Sequence, residues 1–275
     1  MFEILEKKEL NSQVTWMTVK APFIAAKVLP GQFVIVRVDE KGERIPLTVA
    51  DFNRDEGTVT IIFQAVGFTT KKLAALNVGD SVLDFVGPLG LPTETENAKK
   101  AIVIGGGVGC AIAYPQAKAL YNSGVNTTVI AGFRSKDIVI LESEMKEVSN
   151  NYYITTDDGS YGEKGFVTDV LKRLIEKDNY DLVIAIGPIP MMKFVAKTTE
   201  SYGIKTIVSL NPIMIDGTGM CGGCRVSVGG EIKFACVDGP DFDGHKVDFD
   251  ELMRRNSFYR EEEAHSCRME AALNG

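Results

Sequence analysis

No apolar run in this chain approaches the ~18 residues of a membrane span, and no basic stretch followed by an apolar core opens it. The start, Met1-Phe2-Glu3-Ile4-Leu5-Glu6-Lys7-Lys8-Glu9, has acids where a signal peptide needs lysine or arginine. A cytoplasmic protein without membrane contact is the expectation. Basic residues are in deficit: 30 lysines and arginines stand against 37 aspartates and glutamates, a net charge of −7, with no Lys/Arg stripe interleaved with aromatics. That balance disfavours a phosphate-backbone partner, so no nucleic acid is expected to bind. Five cysteines, three of them packed into one segment, make no secreted disulfide framework and suit reducing surroundings. Internal repeats and low-complexity tracts are missing too. Of the two histidines, His245 and His265, each lies in a polar stretch expected to be exposed, and neither is given chemistry.

What is present is concentrated near the C-terminus. Asp216-Gly217-Thr218-Gly219-Met220-Cys221-Gly222-Gly223-Cys224, completed by Cys236, has the spacing D-x4-C-x2-C-x11-C. It follows the plant-type ferredoxin ligand run, C-x4-C-x2-C…C, with aspartate in place of the first cysteine. The reading is a 2Fe-2S cluster held by Asp216, Cys221, Cys224 and Cys236. The glycines let the backbone curl round a small anionic core and bring amide N–H groups to it. The competing reading is structural zinc, since CxxC also opens zinc ribbons. A ribbon wants a second tight pair, and Cys236, His245, His265 and Cys267 do not form one.

The length suits two or three domains. Alternating apolar stretches at 14–19, 33–38, 59–64 and 82–86 are separated by turn formers such as Pro30-Gly31 and Gly79-Asp80, the rhythm of an antiparallel β-barrel over 1–98. From Lys99 the rhythm changes to buried strands at 101–104, 127–130, 153–155, 182–186 and 206–210. Helical segments, for example 165–177 and 191–201, fall between most of them. Residues 99–210 therefore read as a parallel α/β domain, so the fold class is α/β plus all-β. Residues 211–245 form the metal segment. The charged remainder, 246–275, reads equally as a helix on the chain's own surface or as an arm gripping another chain.

Gly105-Gly106-Gly107-Val108-Gly109 follows a strand and opens a helix, which gathers backbone N–H groups and a positive helix end where a phosphate can sit. The spacing is not G-x-G-x-x-G, because Cys110 stands three residues after Gly107, and a plain tight turn is the alternative. Three later turns at carboxyl ends of strands add weight, since ligands of open α/β sheets bind along that edge. They supply Arg134 and Ser135, Asp158 and Gly159, and Gly187, Pro188 and Met191. Cys110 itself reads as a small apolar helix residue. In the β half, Arg44-Ile45-Pro46-Leu47-Thr48 starts a strand, and Val66-Gly67-Phe68-Thr69-Thr70 precedes a helical turn. Amides and hydroxyls at such a turn can hold a pyrophosphate, although a proline at a strand edge and a Gly-x-Thr turn are more often merely structural.

Taken in order, barrel, glycine turn, α/β sheet and cysteine segment, residues 1–245 resemble the ferredoxin–NADP reductase superfamily, particularly the electron-transfer subunits of dihydroorotate dehydrogenase. The aspartate at 216, where those subunits carry cysteine, resembles the small subunits of electron-bifurcating NADH-dependent ferredoxin:NADP oxidoreductases. The resemblance implies a flavin-binding barrel, with FAD contacts at Arg44, Ile45, Pro46, Leu47 and Thr48, at Ile62, Phe63 and Gln64, and at Val66, Gly67, Thr69 and Thr70. The superfamily's Arg-x-Tyr-Ser/Thr motif falls on Ile45 to Thr48, where only the hydroxyl is kept, so Arg44 is the substitute for the arginine. The resemblance likewise assigns NAD(H) to the glycine turn and to Gly187-Pro188. It implies hydride exchange between NAD(H) and FAD, and single-electron transfer through the cluster to a larger flavin/iron–sulfur subunit in a heterodimer, with ferredoxin and NADP(H) reached indirectly. The alternatives are an electron-transfer subunit of dihydroorotate dehydrogenase or another NAD(P)H reductase, and a zinc-stabilised nucleotide-binding regulator.

Overall fold

The computed structural model describes residues 1–258; Tyr259, His265, Cys267 and Met269, singled out above or part of the terminal segment, lie outside them. The first half is a seven-stranded antiparallel sheet built from β1 (Phe2–Glu9), β2 (Val14–Lys20), β3 (Phe33–Arg37), β4 (Ile45–Asn53), β5 (Thr58–Gln64), β6 (Ser81–Val82) and β7 (Asp84–Leu89). Short helices α1 (Pro22–Ala25) and α2 (Phe68–Ala74) bridge its strands. The order is β6-β1-β2-β5-β4-β3-β7. Only Leu83 separates β6 from β7, so the two edges of the order meet and the sheet nearly closes into a barrel. Alternation sends Ile4, Met17, Val19, Ile61 and Phe63 inward around Leu73 of α2.

The second half is a seven-stranded sheet in the order β11-β10-β9-β8-β12-β13-β16. Its strands are β8 (Lys100–Gly106), β9 (Asn126–Phe133), β10 (Asn151–Thr156), β11 (Glu163–Lys164), β12 (Leu182–Ile186) and β13 (Lys205–Ser209), all parallel. Ala101–Ile104 and Leu182–Ile186 are wholly buried, as strands covered on both faces must be. Helices α3 (Gly109–Asn122) and α4 (Glu142–Glu147) pack one face, α5 (Val167–Ile175) and α6 (Ile189–Glu200) the other. The barrel-plus-α/β class expected from the sequence is the class observed.

The cysteine segment does not stand apart from these two halves. After the hairpin β14 (Arg225–Val228) and β15 (Glu231–Phe234), the chain returns as β16 (Asp241–Asp243) and pairs antiparallel with β13. Helix α7 (Phe249–Arg255) then lies on the chain's own surface, burying Phe249 and Leu252. Its N-cap is Asp248, whose carboxylate accepts from the Glu251 N–H. The described part of the terminal segment is thus a surface helix. His245, expected to be exposed, is half-buried, with Nε2 3.0 Å from Thr199 Oγ1. The threonine belongs to α6, and its hydroxyl offers the ring a partner that the polar sequence around His245 does not reveal.

One junction joins all three parts. Asp241 Oδ2 accepts from Thr93 Oγ1 of the inter-domain link at 2.5 Å and lies 3.4 Å from Gln116 Nε2 of α3. Asp241 Oδ1 and Gln116 Oε1 are sealed from solvent without a hydrogen-bond partner. Although the residue as a whole is half-buried, its carboxyl is enclosed, and that burial pushes its pKa up to about 6. The folded chain therefore holds this proton more tightly than the unfolded chain does. Stability is expected to fall as pH rises from about 4 to about 6, by at most about 3 kcal/mol, and to be level in this respect above that window. Denaturant midpoints of the native protein and of Asp241→Asn across pH 4–8 check this: the gap in favour of the native protein should shrink through the window. A pH-independent gap would refute it.

Candidate functional site

The four nucleotide-edge segments lie at the carboxyl ends of β8, β9, β10 and β12, side by side because those strands are hydrogen-bonded neighbours. Gly107 N–H donates to Gly132 O at 2.8 Å, which ties the glycine turn to the end of β9. Packing beneath the turn is tight: a Cβ on Gly106 would meet Met191 Sδ at 2.6 Å, and one on Gly109 would meet Ile186 O at 2.4 Å. Above Gly107 nothing lies within 4 Å. Gly187, Pro188 and Met191 open α6 against the glycine turn. Arg134 is exposed, Ser135 half-buried and Gly159 exposed. Asp158 spends its Oδ1 on the Ser160 N–H, and the Ser160 side chain and N–H hold its carboxyl below the usual range. Cys110 is fully buried, and burial pushes its thiol up to about 12. It serves as an apolar packing residue.

The segments expected to contact a flavin fall where the barrel opens. Pairing between β4 and β5 runs only from Val49 to Asn53 on β4, with a register shift between Val49 and Asp51. Ile45, Pro46, Leu47 and Thr48 therefore pair with β3 alone, and Ile62, Phe63 and Gln64 pair with β2 alone. Two bare strand edges result, with backbone groups free for a ligand. The side chains are less free. Phe63 points into the barrel core and Ile62 into the interface with α3, so these two offer only backbone. Arg44 Nη2 lies 3.5 Å from Asp84 Oδ2, an oxygen that also accepts from Arg37 Nε at 2.6 Å. Thr70 Oγ1 accepts from the Val66 and Gly67 N–H groups, and Thr69 Oγ1 donates to Glu43 Oε2, so the turn before α2 is internally satisfied.

The segment expected to hold the cluster gathers its four candidate donors as two pairs. Cys221 Sγ lies 3.4 Å from Asp216 Oδ1, and Cys224 Sγ lies 3.1 Å from Cys236 Sγ. The Asp216 carboxylate collects the N–H groups of Thr218, Met220 and Cys221, each at 3.1 Å, and the Thr218 hydroxyl at 3.3 Å. The Thr218 N–H foremost holds it below the usual carboxyl range. Gly217 can follow this turn because it adopts φ 76°. Burial and the neighbouring Cys224 thiol push Cys236 up to about 12, so binding of a metal there must displace protons. Among the described residues no three His, Cys, Asp or Glu side chains cluster round one point for a single ion. A 2Fe-2S core takes two protein ligands per iron, which two pairs fit, whereas one tetrahedral zinc asks for four converging donors. Thr218 was not singled out from the sequence, although D-x-T is a side-chain-capped turn pattern that signals it.

These three regions meet. A Cβ on Gly217 would come within 2.8 Å of Ile35 and 3.1 Å of Leu89, so the ligand loop rests on β3 and β7 of the barrel. Ile35 is the cross-strand partner of Pro46. Phe33 and Ile35 share a buried cluster with Met214, Cys224 and Cys236, and Met191 packs against it. A separate cavity of about 560 Å³ lies between the outer barrel wall and Lys118. It contains no residue of the three regions, and its carboxylates Glu6, Asp51, Asp55 and Glu56 would repel a nucleotide phosphate.

Comparison with known proteins agrees with this architecture. Residues 103–197 match the oxidoreductase NAD-binding domain, and residues 211–248 match the iron–sulfur cluster binding domain of dihydroorotate dehydrogenase B. An uncharacterized protein in the adh 3' region of Clostridium beijerinckii is 54% identical, covering 96% of this chain and 92% of that one. The dihydroorotate dehydrogenase B (NAD(+)) electron transfer subunit homolog of Thermotoga maritima is 49% identical, covering 95% and 92%. A solved structure of the NADH-dependent reduced ferredoxin-NADP oxidoreductase, described for flavin-based electron bifurcation, contains a chain that superposes with TM-score 0.92. That chain is 48% identical, with 98% of this chain and 97% of that one covered. No helix among the described residues is long and apolar enough to cross a membrane.

Proposed function

The chain belongs to the family of dihydroorotate dehydrogenase B electron-transfer subunits and their homologues, and is an NAD-binding oxidoreductase subunit; on that premise we propose that it is the small subunit of an electron-bifurcating NADH-dependent ferredoxin:NADP oxidoreductase. When bound, FAD and the 2Fe-2S cluster supply the conversion of a hydride's electron pair into single electrons. The chain's own residues position and insulate. Amides of Val108 and Gly109 at the head of α3, beside the open face of Gly107, hold the dinucleotide's phosphates, while Gly187 and Met191 wall its nicotinamide end. The bare edges at Ile45 to Thr48 and at Ile62 to Gln64, with the Thr48 hydroxyl, hold the flavin largely through backbone. Asp216, Cys221, Cys224 and Cys236 hold the cluster, with the carboxylate pre-set by Thr218.

The observation that carries this reading is the seat of Gly217 on Ile35 and Leu89, because Ile35 is the cross-strand partner of Pro46 and so sets the ligand loop one strand away from the segment proposed for the flavin. Apolar side chains at the loop's rim, Ile215, Met220, Ile232 and Val237, remain exposed, Met220 by 88%. Such a rim suits a larger flavin/iron–sulfur subunit, through which ferredoxin and NADP(H) would be reached. Service to a dihydroorotate dehydrogenase is the second reading, favoured by the match over 211–248.

Anaerobically purified chain is expected to show flavin and iron–sulfur absorption and to pass electrons from NADH to an artificial acceptor. It should not reduce ferredoxin until the larger subunit is added. Ferredoxin reduction by this chain alone would refute the division of labour, and a colourless preparation would refute the cofactor assignment. Identifying the companion subunit by native purification separates the two readings.

A further inference from the structure

We propose that Arg255, beyond the residues matched by the iron–sulfur family, is a positioning and charge-tuning residue that raises the reduction potential of the cluster held by Asp216, Cys221, Cys224 and Cys236. The inference rests on the reading of those four residues as ligands. Arg255 ends α7, and its Nη2 donates to Gly223 O at 3.4 Å. Gly223 lies between two of the ligands, and its own N–H donates to Cys221 Sγ at 3.4 Å. The guanidinium thus grips the peptide that separates Cys221 from Cys224.

The helix that carries it is firmly placed. Phe249 and Leu252 are buried, Lys193 Nζ of α6 pairs with Asp250 at 2.7 Å, and Asn256 Nδ2 donates to Asn211 O at 3.3 Å. A cation at that helix end is held in one position rather than swept through solvent. Among the described residues, arginine ion pairs engage Arg37, Arg44 and Arg173, and no carboxylate of those residues lies within 4.0 Å of Arg255. The other cations nearby differ. Arg225 is exposed, and Lys233 is neutralised by Glu231 at 2.7 Å.

Charge decides the direction of the effect. One electron arriving among three thiolates and a carboxylate adds one negative charge to a site already anionic. A half-buried guanidinium at its edge stabilises the reduced state more than the oxidised one, because partial burial limits screening by salt. Removing that charge should therefore disfavour reduction.

EPR-monitored redox titration of the iron-loaded chain tests this. In Arg255→Gln the reduced-to-oxidised ratio at a fixed potential should fall about tenfold, which for one electron is ~59 mV. Arg255→Lys, which keeps the charge but not the planar fork, should stay close to the native potential. An iron-replete Arg255→Gln with native potential overturns the proposal, as does an equal fall in both variants. Loss of iron from Arg255→Gln with retention in Arg255→Lys still assigns the role to charge, whereas loss from both reduces Arg255 to a brace and overturns it. If the native chain itself binds no iron, the ligand reading has failed, an outcome distinct from all of these.

Discussion

Asp216→Ala is expected to give a folded chain that keeps its flavin absorption but has lost most of its iron and sulfide. The carboxylate is one of only two donors in its pair, and the remaining donor, Cys221, is exposed. Changes merely in the shell around metal ligands weaken binding by roughly 10–100-fold, so removal of a ligand should do at least that. Asp216→Cys supplies the control. It restores the four-thiolate set that the plant-type spacing normally carries, and should recover iron with an altered potential and EPR spectrum. Metal and sulfide analysis beside the flavin band reads both variants. Unchanged iron in Asp216→Ala would remove this residue from the ligand set.

Gly109→Ala is expected to destabilise the nucleotide domain. Its Cβ would lie 2.4 Å from Ile186 O and 2.9 Å from Gly187 Cα, both backbone atoms of the neighbouring strand end that cannot swing away. Overpacking of this kind costs roughly 1–3 kcal/mol, and melting should fall by several degrees, since each kcal/mol shifts it by about 4 °C for a domain of roughly 100–150 residues. Gly107→Ala differs in kind. It has φ 57° and open space around its Cβ position, so the left-handed backbone costs about 1 kcal/mol. The methyl instead intrudes where the nicotinamide nucleotide is proposed to approach. NADH titration should show weaker binding in Gly107→Ala with little loss of melting temperature. If the two variants lose stability and affinity in the same proportion, the open face above Gly107 is not the binding face.

How far the sequence foretells these sites depends on whether the signal is local. Long buried runs such as Ala101 to Ile104 and Leu182 to Ile186 announce their strands, because burial on both faces leaves no polar alternation to confuse with a helix. The spacing of the four proposed ligands is legible for the same reason, since all of them lie within one short stretch. Strand β16 is not: Asp241-Phe242-Asp243 has one buried side chain between two acids and becomes a strand only because β13 offers an open edge. Helix α7 carried an unread signal, the Asp248-x-x-Glu251 cap. Start positions shift for chemical reasons: α5 begins at Val167 because Gly165 has φ 133° and Phe166 is the N-cap, its N–H bonded to Asp169 Oδ2. The gap between β4 and β5 is invisible beforehand, since it arises from a register shift between strands rather than from any one residue. Likewise, nothing near residue 255 hints that its arginine reaches Gly223.

The three-residue strand at Asp241–Asp243 has a consequence for assembly. An uncovered β13 would present a row of unpaired amides and carbonyls to which another polypeptide could add by backbone zippering. With that border occupied by so short a segment flanked by acids, and the opposite border formed by the two-residue, charged Glu163–Lys164, neither margin makes a good template. A companion protein meeting this sheet would then be recognised through side-chain shape and charge, which can discriminate among partners in a way that generic main-chain pairing cannot.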